Sequence, residues 1–211
     1  MKMVPNQIIQ KVIQIGYLNS TATAFTVQNK SVTKQFLVTA KHVFDSCEAK
    51  EFFIEVNKST TWDKHKVRVH FVETSDIAVL ELLDVHYITK AYDVPLNFEG
   101  IYFSQDVYFL GFPFGLSMPS ANMSNDGLPF PLVKKACLSA LHLENKPNLM
   151  LLDGINNKGF PGGPVCFKSV TTNNFEICGV ISGFLPDEKG NNSGLIAAYR
   201  IDEVRKIIDN L

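Results

Sequence analysis

Along this chain short apolar runs alternate with clusters of polar turn residues. "KVIQIGY", "TATAFTV", "KQFLVTA", "EFFIEV", "KVRVHFV" and "DIAVLEL" are six or seven residues each, rich in Val, Ile, Thr and Phe. Asn, Lys, Ser and Asp separate them, the pattern of strands and turns. A second series follows: "DVYFLGF", "VKKACLSALHL", "LMLLDG", "GPVCF", "FEICGVISGF" and "GLIAAYRI". About a dozen strands with no helical pattern between them predict an all-β architecture, either antiparallel barrels or a sandwich. The period changes once. In "RIDEVRKIIDNL", Val204, Ile207, Ile208 and Leu211 fall at helical spacing behind Asp202 and Glu203, which predicts a closing helix.

The stretch from Val94 to Gly100 reads as the connection between the two series. "PFGLSMPSANMSNDGLPFP" (113–131) is dense in Pro, Gly, Ser and Asn and reads as an exposed loop, with Met118 and Phe130 as apolar contacts it could offer. No internal repeat, low-complexity tract or charge block interrupts the pattern.

Composition narrows the partners more than the fold. Apolar residues make up 45% of the 211 and charged residues 19%, a globular balance. Twenty basic against 21 acidic side chains leave a net charge of −1, with no general attraction to nucleic acid or anionic lipid, so neither is an expected partner. The amino end, "MKMVPNQIIQKVIQIGY", is broken by Gln10, Lys11 and Gln14 and lacks the pattern of a signal peptide. No stretch approaches the ~20 apolar residues that span a bilayer. The expected location is therefore the cytoplasm.

Cys47, Cys137, Cys166 and Cys178 form no CxxC pair and no Cys/His cluster, so buried free thiols are expected and a metal site is not. His65, His70, His86 and His142 read as strand residues rather than ligands, and Trp62 as a partly buried residue of a polar turn.

Three stretches carry candidate chemistry. "FLVTAKHVF" (36–44) runs an apolar strand into His42; "TSDIAVLEL" (74–82) sets Asp76 ahead of another; "KGFPGGPVCF" (158–167) is a Gly/Pro turn before a third. Each alone is a common structural feature. In this order they resemble the chymotrypsin/trypsin family of serine peptidases, in which "TAxH" carries the general base, "DIAxLxL" its carboxylate and "GxSGGP" the nucleophile. "CGVISGF" (178–184) is similar to the strand beside that family's specificity pocket, and "FLGFPFG" (109–115) to the opening of its second barrel. "GLIAAYRIDEVRKII" resembles the last strand and helix of bacterial members, including HtrA-type peptidases. The likeness spans roughly residues 12–209.

The resemblance implies two six-stranded antiparallel β-barrels with a site in the cleft between them: an N-terminal barrel over 1–95, a C-terminal barrel over 96–201 and a closing helix over 202–211. It implies His42 as base, Asp76 as its orienting carboxylate, and Gly159 with Phe160 in the oxyanion loop. Ile155 would lie at the base of the specificity pocket, favouring apolar or small side chains. Ser182 would support the carboxylate, and Gly183 and Phe184 would line the substrate strand. No metal or cofactor is implied, since this chemistry rests on a triad and backbone dipoles.

At the nucleophile position the chain departs from the family. Pro161 stands where the serine belongs. Proline has no hydroxyl and no backbone N–H, so a nucleophile and one oxyanion donor are lost together. Its fixed φ, and its restriction of Phe160, are expected to distort the loop. Neither Cys166, inside the following strand, nor Ser182, turned to the carboxylate, is placed to substitute. Three readings follow: an inactive homologue whose cleft holds a peptide or protein segment, with Phe160 near the cleft mouth; an active serine endopeptidase whose nucleophile has been changed to proline; or an assembly module of a larger protein.

Overall fold

The computed structural model describes residues 3–29, 33–90, 92–118, 127–143 and 146–211, without the side chains of residues 142, 143 and 147. The His142 side chain and residues 119–126 of the 113–131 loop therefore lie outside it.

Among the described residues, twelve strands build two closed antiparallel barrels. The first contains β1 (Val12–Tyr17), β2 (Ser20–Asn29), β3 (Lys34–Thr39), β4 (Glu51–Asn57), β5 (Trp62–Phe71) and β6 (Ala78–Leu82). The second contains β7 (Asp106–Gly111), β8 (Leu132–Leu143), β9 (Lys146–Asp153), β10 (Pro164–Lys168), β11 (Phe175–Pro186) and β12 (Asn192–Arg200). Around the first barrel the order is β1-β2-β3-β6-β5-β4, and the second follows the same path, β7-β8-β9-β12-β11-β10. The duplication is topological and leaves no repeat in the sequence.

Helices α1 (Asn6–Ile9) and α2 (Asp202–Asp209) flank the barrels. The short α1 was hidden by the strand pattern that follows it. At α2 no side chain caps the amino end, and a helix of this length is unstable alone. Burial of Val204 and Ile208, and a 2.8 Å hydrogen bond from Asn29 Nδ2 to the Ile208 carbonyl, hold it down. Leu211, expected on its apolar face, is exposed.

Packing explains why several strands read as continuous apolar runs. Residues facing the first barrel's interior include Ile13, Ile15, Ala24, Leu37, Ala78 and Leu80. Their alternates Val12, Phe25, Val27, Phe36, Val38 and Val79 face outward, yet are equally buried against Leu110, Phe112, Ile177, Val180, Ile201 and Val204. A strand buried on both faces loses its polar alternation. Where only one face is covered, as in β4 and β5, alternation returns. This double layer fixes one barrel on the other and thereby forms the cleft.

Several expectations are corrected. The connection between barrels runs from the end of β6 at Leu82 to the start of β7 at Asp106, much longer than Val94–Gly100. Trp62 begins β5 rather than lying in a turn, and its ring packs over Gly16, where a side chain would crowd it. Phe130 is buried, bridged in antiparallel fashion to Met118, so it offers no exposed contact. All four cysteines are free, but only Cys166 and Cys178 are fully buried.

Candidate active site

β3 ends at Thr39 and the chain turns into a single 3-10 turn, Lys41–Phe44, that carries His42. Asp76 lies in the bend before β6, and its side chain grips that turn twice. Oδ1 accepts the His42 backbone N–H at 2.8 Å, and Oδ2 lies 2.7 Å from Nδ1 of the ring. Ser182 Oγ donates to the same Oδ2 at 2.6 Å. Ser182 reaches it because β11 slips register against β12 between Ile181 and Gly183. That bulge re-aims one side chain out of the ladder.

The electrostatics follow from these contacts. Burial alone would push the Asp76 carboxyl up, but the hydrogen bonds from His42 and Ser182 hold it below the ordinary carboxylate range. The hydrogen bond to Asp76 raises His42 above the ordinary imidazole value, against the opposing effect of burial. With a carboxylate on Nδ1, that nitrogen keeps its proton and Nε2 carries the lone pair in the neutral ring. Among the described residues Nε2 has no hydrogen-bond partner. His42 lines a small pocket of about 200 Å³ together with Ser20, Thr21, Ala22, Val43, Lys158, Gly159 and Pro161.

The turn opposite is regular. The Gly163 N–H donates to the Phe160 carbonyl at 2.8 Å, closing a four-residue turn with Pro161 second and Gly162 third. Gly162 has φ +86°, so the turn is type II, in which proline is favoured at the second position and glycine at the third. Pro161 therefore sits where its ring fits, and the expected distortion does not occur.

The turn is also clamped. Gly162 N–H donates to the Ile181 carbonyl at 2.7 Å, and Thr23 N–H to the Pro161 carbonyl at 3.3 Å. Thr23 Oγ1 donates to the Gly159 carbonyl at 2.6 Å and accepts from the Phe112 N–H at 3.1 Å. The glycines are required by these approaches: a Cβ on Gly162 would collide with Thr23 O and Thr39 Oγ1, and one on Gly159 with Phe112 O.

Two of the sequence-derived site residues sit elsewhere. Phe160, expected near the cleft mouth, is 0% exposed and packs edge-on against Phe109 in the second barrel's core, with ring centroids 4.9 Å apart. It anchors the loop and cannot meet a ligand. Ile155, expected at the base of a pocket, is 57% exposed on the loop after β9, where its carbonyl accepts from Lys134 Nζ. Gly183 and Phe184 continue β11 past Ser182, with Phe184 partly open to solvent. Cys166 is fully buried on β10, its thiol pushed far up by burial. Thr23 was missed. A lone threonine in "TATAFTV" gives no signal, because its partners come from residues 112 and 159.

The backbone amides of the loop are unequally available. The Phe160 N–H is spent on Asn157 O at 3.2 Å, the Gly162 N–H on Ile181 O, and Pro161 has none. Among the described residues the Gly159 N–H alone of these has no acceptor. The site is thus a base oriented by a carboxylate, one free amide, and no hydroxyl or thiol on the facing turn.

Two closed six-stranded barrels with a His–Asp pair between them define a chymotrypsin-type fold. The family profile described as "Trypsin-like peptidase domain" matches residues 22–169, more than half of the chain, and the chain belongs to that family. Solved structures share the fold at low identity. The Rv3671c protease of M. tuberculosis H37Rv in its inactive form is 16% identical, with TM-score 0.62 over 97% of this chain and 90% of that one. The HtrA-type protease AlgW with a tripeptide is 17% identical, with TM-score 0.67 over 97% of this chain and 61% of that one. No curated protein sequence matches. Among the described residues no helix is long and apolar enough to cross a membrane.

Proposed function

We propose that this trypsin-like peptidase homologue holds an extended peptide segment in its inter-barrel cleft and does not cleave it. One observation carries the reading: Pro161 occupies the apex of a regular, clamped turn facing His42 and supplies neither nucleophile nor N–H. The acyl-transfer step then lacks the atom that attacks and one of two oxyanion donors. Peptide binding is supported by the edge of β11. β10 pairs with β11 only as far as Val180, so among the described residues no strand pairs with Ser182–Phe184 on the side away from β12. An extended peptide adds to such an edge by main-chain hydrogen bonds.

The hydrogen-bonded His42–Asp76–Ser182 array favours a second reading, an active serine endopeptidase altered only at Pro161. One experiment separates them. The chain and its Pro161→Ser variant are treated with a fluorophosphonate probe and a pooled peptide library with apolar residues before the cleavage point. On the first reading the chain itself neither labels nor cleaves but retains peptides. Labelling of the variant alone shows base and loop competent, with proline as the sole block. Labelling of the unaltered chain overturns the proposal.

A further inference from the structure

A cavity of about 630 Å³ shares no lining residue with the His42 pocket. It lies between the carboxyl-terminal half of β2, residues 92–97 of the inter-barrel connection, and α2. Its size is within the range of pockets that enclose small organic ligands. Lys11, just ahead of β1, lines it while being only 2% exposed. A lysine buried to that degree is normally paired. Among the described residues the Lys11 ammonium makes no hydrogen bond and no ion pair.

The other buried polar side chains on the lining are engaged. Thr26 Oγ1 bonds Thr89 Oγ1 at 2.7 Å, and Asn29 Nδ2 donates to Ile208 O at 2.8 Å. Both Glu176 oxygens are taken, by Thr172 Oγ1 at 2.6 Å and Asn97 Nδ2 at 2.8 Å. Lys11 is left as the buried lining residue whose side chain has no hydrogen-bond partner among the described residues, with only the Asp93 charge acting on it.

We propose that this cavity binds a small organic monocarboxylate, its carboxylate paired with the Lys11 amine and its apolar body against Val27, Val94, Leu96 and Ile208. The charge around the cavity selects the class. Asp93 on the connection, Glu176 on β11 and Asp209 on α2 are acidic, and Arg205 on α2 lies 3.9 Å from Asp209. That set repels a phosphate or other polyanion more strongly than a single carboxylate, whose one charge is matched by one cation. An amine ligand would leave Lys11 unmatched. Burial brings the Lys11 ammonium down to about 8, opposed by the Asp93 charge, so near pH 8 a fraction of the amine is neutral. A bound carboxylate restores the charged form and takes up a proton.

The test is calorimetry with octanoate, using octanol, octylamine and inorganic phosphate as controls. Titrations are run at pH 6.5 and 8.5 in two buffers of different ionisation enthalpy. Octanoate is expected to bind, with fractional proton uptake at pH 8.5 and almost none at pH 6.5. Lys11→Met, which keeps the volume and removes the charge, is expected to weaken octanoate roughly tenfold or more and to abolish the uptake. Equal binding of octanol, tighter binding of phosphate, no octanoate binding at millimolar concentration, or unchanged binding by Lys11→Met would each overturn the proposal. Proton uptake by the unaltered chain is read without any variant. None of these residues touches the His42 pocket, so the result stands apart from the fate of the peptide-binding reading.

Discussion

Thr23 is the residue on which the geometry of the Pro161 turn can be tested most directly. Its hydroxyl joins two backbone groups from distant segments, the Phe112 N–H and the Gly159 carbonyl, and the side chain is 0% exposed. Thr23→Val retains the shape and removes the oxygen. Both groups are then left buried without this partner, at about 1–3 kcal/mol for an unsatisfied buried group, somewhat less for a carbonyl than an N–H. The sum, about 2–4 kcal/mol, is a large share of the ~5–15 kcal/mol that holds a domain folded. It corresponds to a fall in Tm of roughly 4–16 °C for a chain of this size. Thr23→Ser is the control: it retains the hydroxyl, deletes a methyl group and costs about 0.5–1.5 kcal/mol, comparable to other single-methyl deletions. Urea unfolding followed by far-UV circular dichroism, with m-values compared, measures both. The reasoning fails if Thr23→Val lies within about 0.5 kcal/mol of the parent, or if serine costs as much as valine.

Pro161→Ser is expected to lower stability by about 0.4–1 kcal/mol, because proline at a compatible turn position limits the unfolded chain. A gain in stability by the same urea assay would show that proline strains the loop. Gly162→Ala, with φ +86° and a Cβ driven into Thr23 O and Thr39 Oγ1, is expected to cost about 3 kcal/mol or more. Gly190→Ala has a similar φ of +82° but open space, and should cost only about 1 kcal/mol; equal losses in a thermal melt would refute the packing argument.

The His42–Asp76 pair has two pH limits. His42 is raised above its ordinary 6.5, so its contribution is full below that value and is lost as pH rises through the folded pKa. Asp76 is lowered below its ordinary 3.8, so its contribution is present above that value and is lost as pH falls through the folded pKa. An NMR titration should place His42 above 6.5 in the parent and lower in Asp76→Asn. An unchanged His42 titration in that variant would sink the assignment.

Much of this protein was legible in its sequence because strand formation and motif chemistry are local. Valine- and isoleucine-rich runs between polar turns mark strands whatever their neighbours. The change of period after Arg200 marks α2. His42, Asp76 and Ser182 could be named because each sits in a recognisable stretch. That residue 161 is a proline, without hydroxyl or backbone N–H, is a fact of the sequence that no fold can alter.

Other features required the chain to close on itself. The position of Phe160 next to Pro161 points to the cleft, but side-chain direction is decided by packing, and the Phe109 ring claims it. Pro161 suggested a distorted loop, but the hydrogen bond between Gly163 and Phe160 makes a turn that accepts proline. Thr23 and Lys11 carry no signal, since the role of each depends on groups distant in sequence. The face that each strand turns to the interface is likewise undetermined when both faces are apolar. Local pattern fixes what a segment becomes, and only tertiary contact fixes what it touches.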